Sequence, residues 1–151
     1  MLLLLQVQSI ADALNSSEWV FPIAECFHIA AFAWSIGMIA AVDYKLLGFG
    51  IRHSKPSEIL RDTAPWTILG LAVVLLSGPV LFLSDVRMYL NNPSFVFKMY
   101  ALAAAIIFNF TIHWKVAKSD TATKPMQVAT AIVSLLLWIS VVFGGLFIAF
   151  A

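Results

Sequence analysis

Residues Trp19–Gly50, WVFPIAECFHIAAFAWSIGMIAAVDYKLLGFG, decide how the rest of the chain is read. The run exceeds the about 20 residues that a helix needs to cross a bilayer, yet it contains Glu25, His28 and Asp43. An ionisable side chain in hydrocarbon costs roughly 2.5–3.5 kcal/mol on insertion scales, so such groups turn toward a bundle interior and serve a purpose there. This one stretch therefore predicts a membrane span and a polar interior together.

Composition agrees. Of 151 residues, 62% are hydrophobic and 11% charged, well below the about 25% charged residues of a soluble domain. A net charge of +1 provides no field to attract nucleic acid. The single cysteine, Cys26, rules out an intrachain disulfide and multi-cysteine metal motifs. No internal repeat or flexible linker divides the chain.

Outward from the first span, about 19–42, hydropathy predicts three more at about 65–84, 95–114 and 126–151. The stretches IRHSKPSEILRDTAP, VRMYLNNPS and KVAKSDTATKP read as connections, and Pro79 as a kink in the second span. Residues 1–17 begin MLLLLQ without a basic residue, unlike a secretory signal. Their apolar positions Leu3, Val7, Ile10 and Leu14 predict a short interfacial helix. The expected fold is an all-α integral membrane four-helix bundle, 18–151, with that interfacial segment in front. Lys45, Arg52, Lys55, Arg61, Lys115, Lys118 and Lys124 fall at the first and third connections, and only Arg87 and Lys98 at the other side. The positive-inside rule then places both termini outside and the two basic connections in the cytoplasm.

Interior faces follow from helical spacing. Lys98, Leu102, Ala105, Asn109 and His113 make one stripe on the third span; an ammonium, an amide and an imidazole on one line point inward. Thr67, Gly70, Val74, Ser77, Leu81 and Ser84 make a second stripe, and Thr130, Ser134, Trp138, Val141 and Gly145 a third. Small and hydroxyl residues there suit close helix packing.

For chemistry, His28 leads. It lies about 13 Å below Trp19, with Glu25 one turn above on the same face, placed to fix the imidazole tautomer as the carboxylate behind a metal-bound histidine does. Lys98 sits at a similar level and is a candidate for a Glu25–His28–Lys98 cluster. His113 lies about 15 Å deeper than His28 by rise, which argues against the two as axial ligands of one haem. Asp43 reads as part of a boundary motif with Tyr44 and Lys45, pairing with Lys45, Arg52, or His113 across the bundle. Cys26, His28 and Met38 offer soft or borderline copper ligands, but Cys26 and His28 point about 200° apart on a helix.

VDYKLLG at the end of the first span and NPSFVFKMYALAAAIIFNFTIHW into the third resemble an uncharacterised family of small four-span bacterial membrane proteins, over roughly residues 20–116. More distantly the layout is similar to HemJ-type protoporphyrinogen oxidases and to the membrane domain of CopD-type copper proteins, through His28, Trp34, Gly37 and Lys98, with Trp34 and Gly37 one residue nearer His28 than in that pattern. That resemblance implies b-type haem with His28 as iron ligand, Lys98 nearby, and redox chemistry at the membrane. The leading expectation is accordingly a membrane haem b protein with a redox or electron-transfer role, its site comprising His28, Glu25, Lys98, His113 and Asn109. A non-catalytic small subunit or assembly factor of a larger membrane complex is the second expectation, and copper or proton transfer along Lys98–Asn109–His113 the third. A unit this small has little shielded interior, so a homo-oligomer or a partner complex is expected for all three.

Overall fold

A computed structural model describes residues 11–12, 16–50 and 54–150. Most of the expected interfacial helix over 1–17 lies outside the described residues. Helix α1 runs Val20–Leu47 and α2 Pro56–Ser84. A short α3, Val86–Asn91, leads to α4, Pro93–Phe108. A π-helical turn, Asn109–His113, passes directly into α5, Trp114–Lys118, so that α4 to α5 is one rod. Helix α6, Lys124–Leu146, ends in a 3₁₀ turn, Phe147–Phe150. Four of these units, 28, 29, 26 and 27 residues long, are apolar enough to cross a membrane; at 1.5 Å per residue each is about 40 Å long, against a hydrocarbon core of about 30 Å. The chain is a multi-pass membrane helix bundle.

The spans are longer than hydropathy predicts, chiefly at the end where the connections are basic. Helix α2 starts at Pro56 and not near Pro65, because Pro56 occupies the first turn, where no N–H is needed, and the Glu58 carboxylate accepts the Lys55 N–H at 2.9 Å. Ile59, Leu60 and Ala64 then extend the apolar face, and Pro65 is accommodated within the helix. Helix α1 runs past Asp43 to Leu47 and stops at Gly48. That glycine, at φ 98°, donates its N–H to the Lys45 carbonyl, and Phe49 donates to Tyr44. These two bonds close a Schellman motif that needs a left-handed residue. Lys124 Nζ donates to the next loose carbonyl, that of Leu46, at 2.9 Å, fastening the start of α6 to the end of α1.

At the opposite end Asn92 does similar work for α4. Its side-chain oxygen accepts from Ser94 and Phe95 N–H groups, and its amide donates to the Ile148 carbonyl. Helix α1 packs chiefly on α2 and also on α6, while α4 packs chiefly on α6. The helices approach closely where a glycine lets them. A Cβ on Gly70 would collide with Ser35 Oγ and stand 3.0 Å from the Ala31 carbonyl; one on Gly144 would stand 3.0 Å from Lys98 Cβ.

The core is divided. Ile39, Leu71, Leu102, Ala105, Trp138 and Val141 form one apolar cluster, and Val42, Leu46, Leu60, Val116, Ala117 and Ala131 a second, nearer the basic end. All three predicted stripes face inward, with Thr67, Gly70, Val74, Ser84, Asn109, His113, Thr130, Ser134, Trp138 and Val141 buried. Lipid-type residues such as Leu76, Ile107 and Leu136 cover the outside.

A buried polar layer as candidate functional site

Between the two apolar clusters lies a layer of polar side chains from three helices. Asp43 enters from α1 because it shares a face with Ser35, Ile39, Val42 and Leu46, all buried. His113 closes the π-turn, Asn109 opens it, and Ser134 faces them from α6. The Asp43 and His113 side chains are each 1% exposed, and His113 Nε2 stands 2.8 Å from Asp43 Oδ1. Ser134 Oγ donates to the other carboxylate oxygen, Oδ2, at 2.7 Å. Both Asp43 oxygens are thus engaged. With Asp43 ionised, its oxygens only accept, so Nε2 carries the hydrogen and Nδ1 of a neutral ring is left as an acceptor. Nδ1 has no hydrogen-bond partner among the described residues, nor has either amide atom of Asn109.

Asp43 is therefore no boundary residue. The expectation that grouped it with Tyr44 and Lys45 is corrected, because α1 continues another turn beyond it and carries it inside; Tyr44, beside it, is exposed. Of the pairings considered for it, the one across the bundle to His113 forms. The inward turn of His113 and Asn109 was legible from their stripe. Ser134 was legible as interior and read only as packing; its hydroxyl is a direct partner of the carboxylate. The π-turn had no signal in the sequence. It matters here, since π-bulges recur at functional sites, where they change the aim of side chains within a helix.

His28 is a separate site nearer the other end. Its Nδ1 lies 2.8 Å from Ser77 Oγ, and the Ser77 hydroxyl donates at 2.6 Å to the Val73 carbonyl. The only hydroxyl hydrogen is committed to that carbonyl, so Nδ1 donates to Ser77 and Nε2 holds the lone pair. Ser77, not Glu25, orients the ring. Glu25 is exposed, and the expectation that it hydrogen-bonds His28 is corrected: a hydroxyl one helix away is within reach, while the carboxylate turns outward. Lys98 does not close a cluster with Glu25. Its stem lies on Gly144 and Gly145, its ammonium sits 6.0 Å from the Phe32 ring centroid, and it has no ion-pair partner among the described residues.

The donor chemistry of His28 suits an axial haem ligand, since the second nitrogen is anchored and Nε2 is left for a metal. A Cβ on Gly78 would lie 3.6 Å from the His28 ring, and α4 closes directly on α6 at Lys98 and Gly144. Two shallow hollows, one bounded by Phe97, Gly144 and Phe147 and one by Leu71, Ile106 and Phe110, are apolar, and His28 lines neither. Among the described residues no three His, Cys, Asp or Glu side chains gather to hold a metal ion, and Cys26 is exposed.

Comparison with known proteins adds the kinship of the chain. No curated protein and no solved structure matches it. A family model matches residues 19–151, which takes in all four long helices and both histidine sites, and the chain accordingly belongs to DUF6644, a family of unknown function.

Proposed function

We propose that this protein exchanges protons within the membrane and that the Asp43–His113 pair is its working group. The observation that carries the reading is the pair itself: an acid and a base 2.8 Å apart, each 1% exposed, on helices that span the bilayer. Packing alone would be served as well or better by apolar residues of the same volume, since burying an ion pair rarely adds net stability. The bias of lysine and arginine toward the first and third connections supports placing the pair in the cytoplasmic half of a bacterial inner membrane, with both termini outside.

A proton arriving at His113 Nδ1 makes an imidazolium beside an ionised Asp43. Passing the Nε2 hydrogen to Asp43 Oδ1 then leaves a neutral ring protonated on Nδ1 and a neutral carboxyl. Ser134 holds the second carboxyl oxygen in place during the exchange. Infrared difference spectra of the protein in bilayers, switched between mildly acid and mildly alkaline buffer, are expected to show a carboxyl C=O band that shifts in D₂O and disappears in Asp43→Asn. A wild-type protein without such a band would sink this reading.

A second reading rests on the anchored ring of His28. With Nδ1 held by Ser77, Nε2 has the chemistry to ligate a haem lodged on the outside of the bundle, between two copies or against a partner subunit. Detergent-purified protein would then show a Soret band that His28→Ala abolishes; colourless folded protein excludes it.

A further inference from the structure

Three atoms of the buried layer have no hydrogen-bond partner among the described residues: Asn109 Oδ1, Asn109 Nδ2 and His113 Nδ1. Each such group costs about 1–3 kcal/mol when left unpaired in an interior. Asp43, across the layer, accepts from His113 Nε2 and the Ser134 hydroxyl and makes no bond to Asn109. Apolar side chains close the layer on either side, Ile39, Ala105 and Trp138 toward one end and Leu46, Val116 and Ala131 toward the other. Asn109 and His113 lie one turn apart on one face of the rod, and the π-turn that spans them widens the helix at that point.

The inventory of these atoms specifies the ligand. Nδ1 and Oδ1 each ask for a donor, and the Nδ2 hydrogens ask for an acceptor. A metal cation could not accept from Nδ2, and an anion could not donate to Nδ1 or Oδ1. A small neutral molecule with two hydrogens and a lone pair satisfies all three, and water is the smallest that does.

We propose that Asn109 and His113 hold a buried water, and that this water is the proton donor to Nδ1. The second half rests on the proton-exchange reading and names the molecule that delivers the proton. A hydronium formed at this water leaves its extra proton on Nδ1, the Nε2 hydrogen passes to Asp43 Oδ1, and neutral water remains in place. Asn109 is then a positioning residue, since it holds the water and not the reacting ring.

Water-edited solid-state NMR on the full chain in bilayers tests the site. Magnetisation is expected to pass from water to His113 Nδ1, to be lost in Asn109→Leu, which fills the same volume without an amide, and to be weakened in Asn109→Ala, which leaves room but removes both amide atoms. No transfer in the wild type overturns the proposal, as does undiminished transfer in Asn109→Leu. A direct ¹⁵N–¹⁵N coupling between Asn109 Nδ2 and His113 Nδ1 also overturns it, by showing that the amide bonds the ring itself. If Asn109→Leu does not fold, undiminished transfer in Asn109→Ala overturns the site. The two proposals fail separately: water transfer without the infrared carboxyl change removes the proton role and keeps the site, and the reverse removes only the water.

Discussion

Asp43→Ala is expected to destabilise the folded bundle by about 3–5 kcal/mol, the range seen when one partner of a buried pair is removed. The substitution leaves the His113 ring and the Ser134 hydroxyl, both almost fully buried, without their shared acceptor. It also opens space between two apolar clusters that rely on this layer for continuity. Asp43→Asn is expected to cost much less, since the amide oxygen still accepts one of the two bonds. Unfolding in mixed detergent micelles, followed by circular dichroism, measures both. Equal and small losses for the two variants would show that the layer contributes little to folding.

The second large effect lies at the crossing of α1 and α2. Gly70→Ala drives a methyl into Ser35 Oγ and brings it to 3.0 Å from the Ala31 carbonyl. Neither neighbour yields easily: Ser35 is fully buried and its hydroxyl donates to the Ala31 carbonyl at 2.9 Å, so both belong to the α1 surface itself. Overpacking of this kind costs about 1–3 kcal/mol. Ser35→Ala removes the atom in closest conflict, because Ser35 Cβ lies at 3.4 Å from the added methyl, an ordinary contact. The double variant Ser35→Ala, Gly70→Ala is therefore expected to regain a good part of the loss, a coupling of about 0.5–3 kcal/mol in a double-mutant cycle. Additive losses would mean that the helices separate at this crossing and do not interlock.

These two positions also show how far the sequence could be read. Gly70 stood in a stripe of small residues on the second span, and such a stripe announces close approach without saying which residue fills the gap. Ser35 had no such signal, lying on an almost uniformly apolar α1. The same holds in the polar layer. Asn109 and His113 declared their direction by spacing, and Ser134 by its stripe, so each helix face was legible separately. What spacing along one helix cannot give is the level at which faces of different helices meet. Depths counted along different helices share no origin, because the helices begin at different heights. Asp43 was further obscured by the polar residues after it, Tyr44 and Lys45, which imitate a helix end one turn too early. His28 illustrates the opposite error. Its sequence neighbour Glu25 was the obvious partner, and the hydroxyl it uses, Ser77, is 49 residues away.

The π-turn has a consequence for how this chain tolerates changes in length. Arithmetically, such a turn is an α-helix with one residue inserted, and the insertion is absorbed where it occurs. Pro93–Phe108 before it and Trp114–Lys118 after it keep the phase they would have in a rod one residue shorter. Removing one residue from Phe110–Ile112 would leave those flanking segments packed as they are, while changing the Asn109 to His113 spacing from four to three. Indels at this point are thus silent for the architecture and audible only in the buried layer, which makes the length of the third span, more than its hydropathy, the record of what that layer does.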